Sequence, residues 1–350
     1  MMINTVLKKA VTLICITFFV LTISSCSLVK DSKTTDEATY NNDNGIIPVE
    51  KINFNVGALK GPTGMGMVEL IDKSENGDSS LKYNFTLVGS PDDLVGKIIN
   101  GEVDVAAIPT NLALLLYNRT EGKVQLVAVN TLGVLYILEN GNSINTMDDL
   151  KGKTVYTSGK GASPDYIFQY IMRENNLIID KDVILDYKLQ HSELAAALVE
   201  GDVDIALLPQ PHVTSAIMKN EKLRIALDIT EEWNSVMSTN GELAMGCIIV
   251  QRKFAEENPD ALRIFLDEYK QSVIFVNYEI DKAAELIEKY HILPNAAIAK
   301  RAIPYSNIVY LDAQEAKSFL QEYYKVLFDF DPKSVGGRLA DEGFYYKKDQ

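Results

Sequence analysis

The chain has 350 residues, of which 47% are hydrophobic and 23% charged, and a formal net charge of −14 at pH 7. Those proportions are those of an ordinary globular protein, and the length suffices for two domains. The acidic balance argues against a nucleic-acid partner, which needs basic patches. It leaves the charge of a small ligand open, because surface charge governs solubility and steering rather than one pocket.

The first element is an export signal. Lys8 and Lys9 supply a positive start, and Ala10 to Ile23 is an apolar run. At about fourteen residues it fits a signal peptide and is short for a membrane span, which needs about 20. It ends in Ile23-Ser24-Ser25-Cys26, which is similar to the lipobox of bacterial lipoproteins. That resemblance implies a signal peptide over 1–25 and a diacylglyceryl group on Cys26, with acyl chains that hold the protein stably at a membrane. A plain secretory signal or an uncleaved anchor are the alternatives. Residues 26–50 are rich in Ser, Thr, Asp and Asn and read as a flexible tether. Beyond the signal's Cys15 and the lipid site Cys26, only Cys247 remains, so no internal disulfide is expected. Its apolar context, AMGCIIV, makes it a buried small hydrophobe rather than a nucleophile.

From Lys51 short apolar strands alternate with turns and amphipathic helices. INFNVGAL and YNFTLV read as strands. In GSPDDLVGKIING, Ser90 reads as an N-cap with Pro91 in the first turn. VDVAAIP is the next strand, TNLALLLYN a helix start, and VQLVAVN a further strand. The same grammar restarts after Leu132: GVLYILENG, KTVYTSG, a Ser163-Pro164 helix, DVILDYKL, HSELAAALVEG, VDIALLP, QPHVTSAIMKN and LRIALDI. GEVDVAAIP (Gly101 to Pro109) thus recurs as GDVDIALLP (Gly201 to Pro209). Such alternation predicts an α/β protein with largely parallel sheets. A strand and a long helix come after Gly246, then helices over 282–290, 295–301 and 313–326. Nothing after Phe328 reads as strongly structured.

The phrases NTMDDLKGKTVYTSGKGASPDYI, HSELAAALVEGDVDIALLPQP and GCIIVQRKFAEENPD carry a resemblance. The chain resembles the substrate-binding lipoproteins of ABC importers, in the nitrate/sulfonate/taurine and pyrimidine-precursor group, over about 51–330. The resemblance implies a two-lobed type II periplasmic-binding-protein fold, with two mixed sheets flanked by helices and two crossover strands. It divides the chain into lobe 1 (51–131 and 245–330), lobe 2 (132–242) and a C-terminal tail (331–350). The crossovers fall near 130–133 and 240–246. The implied partners are a small-molecule ligand, an ABC permease and its ATPase, and the extracytoplasmic face of the membrane; the protein itself is expected to be monomeric. One departure stands out. The group often shows Pro-Glu-Pro and an aromatic where this chain has Pro209-Gln210-Pro211-His212, so no carboxylate role carries over.

Open parallel sheets bind ligands beyond the carboxyl ends of their strands, near helix N-termini. That rule selects Lys60, Gly61, Thr63, Gly89, Ser90, Pro109, Thr110 and Asn111 in the first half. In the second it selects Ser158, Gly159, Lys160, Gly161, Ala162, Ser163, Pro209 and Gln210. Thr131, Asn240 and Glu242 sit at the hinges. SGKGASP is the strongest stretch, because its glycines admit close approach and the helix at Ser163 offers unpaired N–H groups and a positive dipole end. A carboxylate, sulfonate or phosphate suits it; Ser163 as a simple cap and Lys160 as a solvated lysine are the competing readings. Asp165 and Glu242 are candidates to pair with a ligand amine. Asp104 and Asp204 lie at the far strand ends and belong to turns. Met65 and Met67 read as core or surface residues, with an apolar pocket wall as the alternative.

KGPTGMGM lacks the Gly-Lys-Ser/Thr ending of a phosphate loop. The three histidines show no metal spacing, and there is no nucleophile elbow, so neither catalysis, metal nor cofactor is expected. His191 opens a helix and reads as a surface residue, and His291 follows a helix end, where a cation favours the dipole. The favoured reading is a receptor that delivers an organic anion or an aromatic, pyrimidine-like solute to an importer. A ligand-sensing lipoprotein for a membrane signalling partner is the alternative.

Overall fold

A computed structural model describes residues 53–237 and 241–348, together with a short antiparallel pair of strands, Thr39–Tyr40 and Ile47–Pro48. The signal peptide, Cys26, most of the tether and Asn240 lie outside the described residues.

From Asn53 onward the alternating pattern builds two mixed sheets flanked by helices, the architecture that the sequence implied. The first four strands are β1 (Asn53–Leu59), β2 (Lys82–Val88), β3 (Val105–Pro109) and β4 (Val124–Thr131). They join the larger sheet with β10 (Gly246–Gln251) and β11 (Ile308–Asp312), in the order β11-β4-β10-β3-β1-β2. Between these excursions the chain makes β5 (Leu135–Asn140), β6 (Lys153–Tyr156), β7 (Val183–Asp186), β8 (Ile205–Pro209) and β9 (Leu223–Asp228). These form the smaller sheet, in the order β9-β5-β8-β6-β7.

The repeated nonapeptide supplies equivalent strands. β3 lies parallel to β1 and antiparallel to β10, with Pro109 opposite Gly246. β8 lies parallel to β6 and antiparallel to β5, with Pro209 opposite Leu135. Both are apolar without alternation because helices cover both faces of a sheet interior. The repeat's acidic residues sit at the opposite end from the prolines, as expected. Asp104 accepts hydrogen bonds from the Asn55 backbone N–H (2.7 Å) and side-chain amide (3.1 Å), whereas Asp204 is exposed.

The chain passes from the larger to the smaller sheet between Thr131 and Leu135 and returns between Val236 and Gly246. Glycine marks both passages for a steric reason. A Cβ on Gly133 would stand 2.9 Å from Thr230 Cβ and 3.1 Å from its Cγ2, so no rotation of Thr230 would relieve it. One on Gly246 would meet Asn130 Oδ1 at 2.7 Å and Thr131 at 3.0 Å.

Three elements depart from the sequence reading. Strand β11 and the helix Ile229–Val236 were not anticipated. Nor was order at the C-terminus. The helix Ala313–Phe330 runs on into short 3-10 turns, and Phe344 and Tyr345 are buried. Arg252 fixes that tail by donating to the carbonyl of Gly343 at 2.8 Å. The tail lacks helical or strand periodicity, so local pattern conceals a segment held by tertiary burial.

Met65 and Met67 are fully buried, as expected of core residues. Cys247 is also buried, and burial pushes its thiol well above the usual range, which leaves it chemically quiet.

Candidate functional site

The carboxyl ends of both sheets open onto one cavity of about 460 Å³. The larger sheet contributes Pro62 and Thr63 after β1, Pro91 and Asp92 after β2, and Pro109, Asn111 and Leu112 after β3. The smaller contributes Ala162, Ser163 and Pro164 after β6, His191 after β7, and Gln210 after β8. Thr131, Val134 and Met245 line it from the passages between the sheets, and Tyr323 reaches it from the helix Ala313–Phe330.

The side of the cavity formed by the smaller sheet, together with Tyr323 from the helix Ala313–Phe330, is built to donate hydrogen bonds. Gly159 and Gly161 hold positive φ angles of 69° and 77°, a region costly for other residues, and so deliver the chain tightly to the helix Ser163–Glu174. Asp165, a candidate to pair with a ligand amine, is consumed in bracing this turn. It accepts from the Gly161 N–H (2.7 Å), the Tyr187 hydroxyl (2.6 Å) and the Gln169 amide (2.8 Å). Ser163 does not cap its helix, and its buried hydroxyl lies within hydrogen-bond reach of the buried Tyr323 hydroxyl. Among the described residues neither hydroxyl has a partner beyond the other, and the Gln210 side-chain nitrogen has none. The three lining groups therefore have donor capacity to offer an acceptor in the cavity.

His191 corrects the sequence reading, which placed it at the surface. It opens the helix His191–Glu200, half-buried at the cavity wall. The Ser158 hydroxyl lies 2.7 Å from its Nδ1, and its ring stacks on His212 at 5.6 Å. Burial, with His212 beside it, lowers the His191 pKa to about 4, and burial lowers that of His212 too, so both imidazoles are neutral near pH 7. Among the described residues no lysine or arginine lines the cavity, and Asp92 is its one acidic residue.

Of the residues selected from sequence, Thr63, Asn111, Thr131, Ala162, Ser163 and Gln210 reach the cavity, as does Pro109. Thr110 turns inward instead. It is fully buried, with its carbonyl accepting from Tyr324. Ser158 stands behind His191. Lys60, Gly89 and Lys160 are exposed and do not line it, and Lys160 rests over the Tyr187 ring at 5.2 Å. Gly61, Gly159 and Gly161 shape loops without lining the cavity, and Ser90 serves its own turn, accepting from the Asp92 N–H. Glu242 is half-buried away from it.

His191 comes just after a strand end and could have been selected by the rule that found Ser163. Tyr323 could not, because its helix lies far along the chain and reaches the site only through packing. Asn130, fully buried, positions the first loop by donating to the carbonyl of Thr63 at 3.1 Å.

No helix among the described residues is long and apolar enough to cross a membrane. The chain is similar to "Putative aliphatic sulfonates-binding protein" of Bacillus subtilis (strain 168), 25% identical over 208 residues that cover 58% of this chain and 57% of that one. The chain therefore spans a little over half the length of that curated relative. Among solved structures, an ABC transporter protein from Parabacteroides distasonis superposes with a TM-score of 0.71 at 26% identity, covering 85% of this chain and all of that one. The periplasmic aliphatic sulphonate binding protein SsuA of Escherichia coli superposes at 0.66, with 18% identity, covering 84% and 92%, which shows the shared fold. Residues 79–290 match the model of the family described as "ABC transporter, phosphonate, periplasmic substrate-binding protein", and the chain belongs to that family of ABC-transporter substrate-binding proteins.

Proposed function

We propose that the protein is a lipid-anchored extracytoplasmic receptor that captures a small organic oxyanion in this cavity and presents it to an ABC permease and its ATPase. The observation that carries the reading is the gathering of buried polar groups at one side of the cavity, the paired Ser163 and Tyr323 hydroxyls and the side-chain nitrogen of Gln210. An acceptor-rich head group satisfies all three, and the start of the Ser163 helix adds dipolar attraction. The opposite wall, with Pro62, Pro91, Pro109, Leu112 and Met245, suits an apolar body. A singly charged sulfonate or carboxylate matches a cavity without a cationic side chain better than a doubly charged head, whose desolvation nothing here would offset. The relatives named for sulfonates agree with that chemistry.

In this reading the two lobes are 51–131 with 245–330, and 132–242, and the ligand draws an open–closed equilibrium toward closure. Cys26 is the lipid-bearing N-terminus. Native mass spectrometry of protein purified without refolding tests the ligand class. A retained or added organic sulfonate or carboxylate at one copy per chain is expected, and failure to bind any sulfonate, phosphonate or carboxylate overturns the reading. Mass analysis of the N-terminal peptide tests the anchor separately: acylated Cys26 supports it, and an unmodified N-terminus contradicts it.

A further inference from the structure

The helix Ile229–Val236 touches both passages between the sheets and the lining of the ligand cavity. Its Thr230 stands against Gly133 in the outgoing passage, where an added Cβ would meet Thr230 Cβ at 2.9 Å. Its Trp233 donates the indole N–H to the carbonyl of Gly241 in the return passage at 2.8 Å. The ring of the same residue meets that of Tyr323 edge-on, with centroids 6.4 Å apart and an angle of 61°. Trp233 is the chain's single tryptophan and is fully buried, while Tyr323 lines the cavity.

The indole has a second aromatic neighbour. Tyr170, on the helix Ser163–Glu174, lies 5.4 Å from it at 50°. That helix begins with Ser163, whose hydroxyl is within reach of the Tyr323 hydroxyl. Trp233 is therefore wedged against both helices that supply this hydroxyl pair. Edge-on aromatic contacts are directional, because the positive rim of one ring seeks the negative face of the other. The indole thus fixes where the Tyr323 ring stands, and its own position is fixed in turn by Gly241.

We propose that Trp233 is a positioning residue: it sets the Tyr323 hydroxyl at the cavity and, through Gly241, ties the ligand's hold on that hydroxyl to the return passage between the sheets. The proposal rests on the oxyanion-receptor reading for its ligand. In that reading Tyr323 belongs to one lobe and Trp233 to the other, so their contact crosses the boundary that moves on closure. An anion that accepts from Tyr323 draws on a ring braced by the indole, and the indole's bond to Gly241 joins that event to the passage.

The test is a double-mutant cycle with ethanesulfonate, read by titration calorimetry on the native protein, Trp233→Phe, Tyr323→Phe and the double variant. Trp233→Phe keeps an aromatic ring and loses the bond to Gly241, and it is expected to weaken binding about five- to tenfold. In the Tyr323→Phe background the same change is expected to cost less than about twofold, because the hydroxyl it positions is gone. Losses that simply multiply would overturn the proposal, since a tryptophan with only a structural role weakens both backgrounds alike. The native protein supplies a second readout that needs no variant. With one tryptophan in the chain, tryptophan emission reports Trp233 alone. A saturable change with the calorimetric midpoint is expected, and emission unchanged at saturating ethanesulfonate would overturn the proposal. If ethanesulfonate does not bind the native protein, the sulfonate reading fails, and the link is judged by amide hydrogen exchange of native and Trp233→Phe protein without ligand. Faster exchange in the variant over both 241–246 and 319–324 supports it; exchange that is unchanged, or faster only within 229–236, refutes it.

Discussion

The two walls of the cavity are built from the same nonapeptide and do different work. On the larger sheet GEVDVAAIP ends at Pro109, the next residue turns into the core, and the surface offered to a ligand is mainly proline, leucine and methionine. On the smaller sheet GDVDIALLP ends at Pro209, and the next residue, Gln210, brings a side-chain nitrogen without a partner among the described residues to the cavity that Ser163 and His191 also line. The repeat encodes strand pairing: each copy lies between a parallel neighbour and an antiparallel strand adjoining a passage between the sheets. The residue after each proline carries the chemistry, and there the two copies diverge: Thr110 is turned inward and Gln210 faces the ligand.

The asymmetry is open to direct attack, and the largest effect is expected at the donor wall. Ser163→Ala and Tyr323→Phe should each cost about 1.5–3 kcal/mol of anion binding, roughly 10- to 100-fold in affinity, because a hydrogen bond to a charged group is lost. Each variant should change the stability of the ligand-free fold by no more than about 1.5 kcal/mol, since each removes one hydroxyl of the Ser163–Tyr323 pair. Thr63→Ala and Asn111→Ala on the opposite wall should change affinity by less than about threefold, within the usual range of a solvated polar contact. Equal losses on both walls in titration calorimetry would break the comparison.

A smaller effect is expected at the passage between the sheets. Gly133→Ala should destabilise the protein by about 1–3 kcal/mol in urea unfolding, as overpacking does, because Thr230 cannot retreat. An unchanged midpoint would show that the two sheets shift freely at this point.

Acid should act on the donor wall through His191. Its folded pKa, about 4, lies below its ordinary value near 6.5, so between those values the unfolded chain binds more protons. The neutral imidazole therefore contributes stability above about pH 6.5 that is lost as pH falls toward 4, on the order of 3 kcal/mol. A bound anion favours the imidazolium, so anion affinity should rise over the same fall in pH. Affinity that is flat or declining from pH 7 to 5, or a His191→Asn variant with the native profile, would contradict this.

The smallest contrast lies at the far ends of the repeats. Asp104→Ala should cost about 1–2 kcal/mol of stability, since it strands the Asn55 N–H, while Asp204→Ala should stay within about 0.5 kcal/mol. Neither should alter ligand affinity, and a binding defect in either would place the ligand elsewhere.

The fold was legible because alternation of buried strands and Gly- or Pro-bounded helices is a local signal, and the nonapeptide repeat that supplies one strand of each sheet lies in plain view. The site was legible where a strand end meets a helix start, as at Ser163 and Gln210. It was overread at Lys60, Gly89 and Lys160, which come after strand ends but face solvent, because the rule fixes a residue's position along the strand and not the direction of its side chain. It was illegible at Tyr323, which arrives from a helix remote in the chain; His191 follows a strand end and was within reach of the rule, but its burial against His212 and Ser158 is tertiary. The order of the C-terminal segment was hidden for the same reason: Phe344 and Tyr345 are anchored by packing that no local pattern announces.

The central claim is that neutral, desolvated donors on one wall hold an anionic head. Its most direct test is calorimetric titration of ethanesulfonate into the native protein and into the Ser163→Ala/Tyr323→Phe double variant at pH 7. The account predicts one saturable site in the native protein and an affinity at least about 100-fold weaker in a double variant that is still folded. Native-like affinity in that variant would contradict it.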